Sequence, residues 1–192
     1  MIFLKNSSVP NICDGGGLYL KDIKPLNEYQ NLIIGEVITV NTNDNDWGTA
    51  VYSISQSKNK IIVINVVGNN YAIWGGLATL NSKLNGVIGV IINGAVRDVE
   101  EIKKLKFPIF SKNIIGVAGK PLNNGTINCQ IKINNVLIEP GDIAVGDLNG
   151  VCIIKKNNLQ NVINNVKNIK NKEENIKNKL HKGLDLKDIL KL

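Results

Sequence analysis

At 192 residues, with 43% hydrophobic and 20% charged side chains, the chain is an ordinary globule by composition, long enough to bury roughly two-thirds of its unfolded surface without disulfides or structural metal. Its formal charge of +7 would suit a nucleic-acid ligand. However, much of the excess lies in one lysine-rich C-terminal stretch with no aromatic stacking platform, which argues against that partner. The longest apolar runs, such as 61–67, are too short to span a bilayer, and no signal-like segment opens the chain. Cys13, Cys129 and Cys152 are odd in number and lack metal-ligand spacing, so a soluble protein of a reducing cytoplasm is expected.

In chain order, "IIGEVITV" (33–40), "KIIVINVV" (60–67), "GVIGVIING" (86–94) and "FPIF" (107–110) are short, rich in Ile and Val, and bounded by turn residues. They read as strands, most of them buried on both faces. Between the second and third, Leu77, Leu80 and Leu84 have helical spacing that ends at Gly86. Between the third and fourth, Val99, Ile102 and Leu105 share one face of a helix over 98–106. Alternating strands and helices imply a parallel sheet with right-handed crossovers. Residues 127–156 change character: short strands separated by "NN", "EPGD" and "DLNG" predict antiparallel β structure. From about 157 to 182 a long helix follows, with apolar residues at 159, 162, 166, 169, 176 and 180. Steps of three and four from Val166 place Glu173 on that seam, either at a solvent-facing turn or aimed at something across an interface.

Of the 23 basic residues only Arg97 is an arginine, and it stands between a buried strand and a helix, in "GAVRD". Ligands of open α/β sheets collect at the carboxyl ends of strands, and a guanidinium offers a planar fork that a lysine cannot copy. Asp98 with Glu101 equally fits a D-x-x-E capping box, with Arg97 as an ordinary ion-pair partner. The glycines of "WGGLAT" (74–79) would let an anion approach free N–H groups at a helix start, or form only a tight turn. Lys120, in a second glycine-rich loop, is a candidate second cation or a surface lysine. His181, the sole histidine, has no evident partner, and "CDGGG" (13–17) lacks the GKS/T that completes a phosphate loop.

Read together, "WGGLATLNSKLNGVIGVIINGAVRDVEEIKKLKFPIFSKN" and "IEPGDIAVGDLNGVCII" resemble the group comprising 4-hydroxy-4-methyl-2-oxoglutarate aldolases and the regulator of ribonuclease activity A. Order and spacing match from about Asp14 to Gly183, including "KEENIKNKLHKG" near the end. The resemblance implies an α/β fold: a swivelling β/β/α domain with a central mixed sheet and a long C-terminal helix. It implies a single domain over 1–192, with the 156–192 extension at a subunit interface of a homotrimer or homohexamer.

The same resemblance implies roles for the candidate residues. Arg97 would grip the carboxylate and ketone end of a small 2-oxo acid, with the backbone of Gly75, Gly76, Leu77 and Ala78 holding the same group. Asp98 would be the direct ligand of Mg²⁺, Mn²⁺ or another divalent cation. Lys120 would line the site, and Glu173 would reach the metal waters of a neighbouring subunit. The implied activity is pyruvate aldolase cleavage of 4-hydroxy-2-oxo dicarboxylic acids, with oxaloacetate decarboxylation beside it. The ribonuclease-regulator branch typically lacks the aspartate after the arginine, so Asp98 favours the enzyme. Catalytic members often carry an acid where this chain has Gly76, with Asp14 or Glu36 as possible substitutes, so a non-catalytic regulator acting by protein contact is the alternative. A quinone methyltransferase, a label the family has carried, finds no glycine-rich nucleotide loop to support it.

Overall fold

β-Branched residues pack well on a pleated surface, and the Ile/Val runs duly become the centre of a sheet. The computed structural model describes residues 2–28 and 31–192. The first half runs α1 (Val9–Asp14), β1 (Leu18–Leu20), β2 (Lys24–Pro25), β3 (Ile33–Asn43), α2 (Trp47–Tyr52), β4 (Ile61–Val67), β5 (Ala72–Trp74), α3 (Gly76–Leu84), β6 (Gly89–Val96), α4 (Val99–Leu105) and β7 (Ile109–Ile114). Then come β8 (Thr126–Ile127), β9 (Ile131–Ile133), β10 (Val136–Ile138), β11 (Ile143–Asp147), β12 (Gly150–Ile154), α5 (Leu159–His181) and α6 (Leu186–Leu190).

Among the described residues the main sheet follows the order β1-β12-β11-β3-β4-β6-β7-β2, with β5 added to β6 and β8 to β3. Strands β3, β4, β6 and β7 pair in parallel, while β11, β12, β1 and β2 join antiparallel, so the sheet is mixed. Alternate residues of the parallel strands feed two cores. Ile62, Ile64, Val90 and Ile92 face the helices α2 to α4, and Ile61, Val63 and Ile91 face the β9–β10 hairpin. A third core forms where α1 and α5 cover β11 and β12, with Val162 and Val166 of α5 fully buried. α5 covers 159–181, close to the expected 157–182, after a 3₁₀ turn at Lys156–Asn158. Among the described residues no helix is long and apolar enough to cross a membrane.

Two local features depart from the sequence reading. The apolar spacing of α3 does not face the sheet: Leu77 and Leu84 are 80% and 77% exposed, and Gly76, Thr79 and Ser82 are buried instead. Small side chains line the buried face of α3, which packs beside α4, and its leucines are turned outward. The capping box of α4 does not form either. Asp98 holds the N-cap position with φ 57°, in the left-handed region, and its side chain makes no cap hydrogen bond.

Candidate functional site

The three-residue strand β5 assembles the site. It pairs with the end of β6 at Ala72↔Ala95 and Trp74↔Val96, and the Arg97 N–H donates to the Trp74 carbonyl at 2.9 Å. The start of α3 is therefore laid beside Arg97 and Asp98. Trp74 is buried, with its Nε1–H donated to the Thr79 hydroxyl at 3.0 Å, and that hydroxyl donates to the Gly75 carbonyl at 2.8 Å. These bonds fix the turn between β5 and α3.

A cleft of ≈ 330 Å³ opens here, lined by Trp47 and Val51 of α2, Ala72 to Gly75, Leu77, Ala78 and Asn81 of α3, Arg97, Asp98 and Ala118. Its polar end is Arg97, Asp98 and the start of α3; its walls are mostly apolar. Among the described residues Arg97 is the single cationic one lining it, so the guanidinium that the sequence singled out borders a cavity. The Arg97 Nε lies 3.6 Å from Oδ2 of Asp98, with both side chains nearly half exposed. A pair so placed stabilises the fold little.

The Asp98 carboxylate turns away from α4. Its Oδ2 accepts the Gly76 N–H at 3.1 Å, and its Oδ1 has no hydrogen-bond partner among the described residues. A left-handed aspartate costs on the order of 1 kcal/mol, and an unused cap about 1 kcal/mol more. Strain of this kind persists where the surroundings impose it, often at functional sites. Gly75, the N-cap of α3, has no side chain to offer, so the N–H groups of Leu77 and Ala78 also lack an acceptor among the described residues. The guanidinium and the residues that carry these donors line the same cleft.

Lys120 is exposed on the loop that follows β7, two residues from the lining Ala118. Its N–H donates to the Asn45 carbonyl at 2.8 Å, and its carbonyl accepts the Trp47 N–H at 3.1 Å. The loop is tethered by Asp46, which is buried and accepts from the Thr49 hydroxyl at 2.7 Å and from the N–H groups of Asn123 and Asn124, each at 2.8 Å. Burial pushes the Asp46 carboxyl up. The hydrogen bonds from Thr49, Asn123 and Asn124 outweigh it and hold the group well below the usual carboxylate range.

Glu173 is not in this cleft within one chain. Its Oε1 accepts from Nδ2 of Asn11 at 2.9 Å, joining α5 to α1. Asp14 ends α1, and Glu36 is ion-paired with Lys60 at 2.9 Å; within one chain neither lines this cleft. The sequence reading missed Trp47, Val51, Asn81 and Ala118 as lining residues, since nothing local announces that α2 and the loop after β7 meet over β5. It also passed over Glu101 as anything but a capping partner; Glu101 lies in the first turn of α4, with its carboxylate against Gly76 at the start of α3.

The profile of the family described as RraA-like, Aldolase/RraA, matches residues 9–153. An uncharacterized protein of Methanocaldococcus jannaschii is 55% identical over 195 aligned positions, covering 100% of this chain and 94% of the relative. A Halalkalibacterium halodurans protein provisionally named 4-hydroxy-4-methyl-2-oxoglutarate aldolase is 34% identical over 163 positions, covering 81% of this chain and 77% of that protein. Among solved structures, an uncharacterized protein from Pseudomonas syringae pv. tomato shares the fold with a TM-score of 0.84 at 20% identity, covering 97% of this chain and 90% of that one. The RNA-processing inhibitor RraA from Thermus thermophilis shares it with a TM-score of 0.64 at 19% identity, covering 72% of this chain and 84% of that one.

Proposed function

Because the chain belongs to the RraA-like, Aldolase/RraA family, we propose that it is a divalent-metal-dependent lyase. In this reading it cleaves 4-hydroxy-2-oxo dicarboxylic acids, such as 4-hydroxy-4-methyl-2-oxoglutarate, to release pyruvate, and decarboxylates oxaloacetate at the same site. Relatives and structural neighbours carry both aldolase and RNA-processing-inhibitor names. The observation that favours the enzyme is the Asp98 carboxylate, which forgoes its own helix cap and is held in the cleft beside Arg97.

The donor set suits Mg²⁺ or Mn²⁺. Among the described residues no three His, Cys, Asp or Glu side chains converge into a cage. A hard cation that keeps most of its water needs only one or two carboxylate oxygens, and Oδ1 of Asp98 has no other partner among the described residues. Asp98 is thus the residue that would hold the ion, and the ion when bound supplies Lewis-acid polarisation of the substrate's keto oxygen.

The remaining work falls to the chain itself. Arg97 grips the substrate carboxylate through its planar fork, and the Leu77 and Ala78 N–H groups donate to the same anion. The apolar walls, Trp47, Val51 and Ala118, leave room for a methyl substituent and limit water. As the C3–C4 bond of the substrate breaks, the 4-hydroxyl proton passes to water in the cleft and the electron pair moves to C2–C3. The enolate oxygen of the nascent pyruvate then faces the Arg97 guanidinium, and protonation at C3 completes the product. Loss of CO₂ from oxaloacetate leaves the same enolate.

The exposed leucines of α3 support a homo-oligomer, trimer or hexamer, in which another copy covers this face of the cleft. The same reading takes 1–192 as one domain, with the helical extension 156–192 at the subunit interface and Glu173 facing a neighbour's site.

The experiment is pyruvate release from oxaloacetate and from 4-hydroxy-4-methyl-2-oxoglutarate, with Mg²⁺, with chelator, and in Asp98→Ala. Metal-dependent turnover that disappears in the variant is expected. A folded protein with no turnover above background on either substrate would overturn the lyase and favour a regulator acting by contact.

A further inference from the structure

The N-cap and first turn of α4 carry Asp98, Glu100 and Glu101, and two of these carboxylates, those of Asp98 and Glu101, each lie against one glycine of the pair that opens α3. A Cβ on Gly75 would stand 2.5 Å from Oδ2 of Asp98. A Cβ on Gly76 would stand 2.2 Å from Oε2 of Glu101 and 2.4 Å from its Cδ. The space that a side chain of residue 76 would fill is thus already taken by the Glu101 carboxylate, reaching over from the neighbouring helix. Gly76 is the first helical residue of α3, a conformation open to any L side chain, so its backbone does not require glycine. What the missing side chain leaves is room for Glu101.

Among the described residues no other group uses that carboxylate. Glu101 is exposed and makes no ion pair or hydrogen bond among the described residues. It stands in the first turn of α4, and its Oε2 and the Asp98 Oδ2 lie against adjacent glycines at the start of α3. As an acid in the first turn it favours the dipole of a seven-residue helix, a modest effect that does not depend on where its oxygens point.

Resting on the lyase reading above, we propose that Glu101 is a positioning residue of that site. Its carboxylate accepts hydrogen bonds from the water shell of the cation held by Asp98, and so fixes how that shell meets the substrate. The second acid of the site is supplied from α4, across the glycine of α3. Outer partners of this kind are typically worth about 10- to 100-fold in metal affinity or activity.

The test moves the carboxylate from one helix to the other in the full chain. Mn²⁺ affinity is measured by titration calorimetry, and kcat and KM for oxaloacetate are measured separately, for wild type, Glu101→Gln, Glu101→Ala, and Glu101→Ala with Gly76→Asp. Glu101→Gln should weaken Mn²⁺ about 10- to 100-fold and lower kcat while KM for oxaloacetate stays within about twofold. An aspartate at 76 in the Glu101→Ala background should restore both Mn²⁺ affinity and kcat, which a mere helix-dipole role for residue 101 does not predict. Glu101→Gln indistinguishable from wild type in affinity and kcat would overturn the proposal, as would a folded double variant no better than Glu101→Ala. If the double variant melts early, the Glu101→Gln result decides. A wild-type protein that neither binds Mn²⁺ nor turns over oxaloacetate would sink the lyase reading itself, and that arm is separate from every variant.

Discussion

Replacing Gly75 by alanine probes the site with one methyl group. Gly75 has φ −155° and ψ −165°, extended backbone that alanine adopts freely, so the chain itself does not resist. The new Cβ, however, would lie 2.5 Å from Oδ2 of Asp98 and 3.3 Å from Cγ of Arg97. Real Cβ contacts essentially never fall below 3.0 Å, so the carboxylate must retreat by at least 3.0 − 2.5 = 0.5 Å. That movement stretches the 3.1 Å bond from the Gly76 N–H and shifts the group proposed to hold the cation. Misplacement by 1 Å can cost about 100-fold, so half of that corresponds to about tenfold in kcat/KM, or about 1.4 kcal/mol. Losing glycine for alanine at an N-cap costs less than about 1 kcal/mol, so Tm should move by no more than about 4 °C. Steady-state oxaloacetate decarboxylation with Mg²⁺, beside a thermal melt, reads both quantities. A variant within twofold of wild-type kcat/KM, at unchanged Tm, would refute the argument that the position of the Asp98 carboxylate matters.

Other outcomes follow from the same geometry. Asp46→Asn should destabilise the fold by roughly 2–3 kcal/mol, because buried N–H donors lose a charged acceptor. Since the folded-state pKa of Asp46 is depressed, its contribution is fully present above the ordinary aspartate value of about 3.9 and is lost as pH falls below it. Urea melts from pH 7 to 3 should therefore show a shallower acid limb in the variant; parallel curves would remove Asp46 as the cause. If Lys120, two residues from the lining Ala118, meets the substrate's second carboxylate, Lys120→Ala should raise KM for a 2-oxo dicarboxylate several-fold and leave a 2-oxo monocarboxylate unaffected; equal effects on both would exclude that role. Leu77→Glu with Leu84→Glu should lower the mass seen by sedimentation, since these side chains are 80% and 77% exposed in one chain; an unchanged oligomer would place its contacts elsewhere.

How far the sequence could be read depended on the range of the interactions concerned. The parallel strands were legible because alternate β-branched residues feed a core on each side, so the runs at 60–67 and 86–94 announce themselves locally. Arg97 stood out by type and by its place after β6. The leucines of α3 were legible as a stripe but not in their direction, since helical spacing says that a face is apolar and not what covers it. The D-x-x-E pattern at Asp98 left a cap and a ligand-facing carboxylate equally open, and the left-handed backbone does not make the cap. That choice depends on β5, a strand of three residues too short to show in any periodicity, which brings the Gly76 N–H within reach of Asp98. The tether from Asp46 to Asn123 spans 77 positions and has no local signature.

The order of the strands also sets a timetable for synthesis. Residues Ile33 to Glu36 of β3 find their neighbour in β11, with Ile33 opposite Gly146, which leaves the ribosome 146 − 33 = 113 residues later. At roughly 5–20 residues per second, that stretch of β3 waits about 6–23 s with its backbone N–H and C=O groups unpaired on that side. An exposed apolar edge of this kind is a template for wrong pairing. A nascent chain stalled before residue 143 should therefore engage chaperones or aggregate, while one released after β12 closes its sheet.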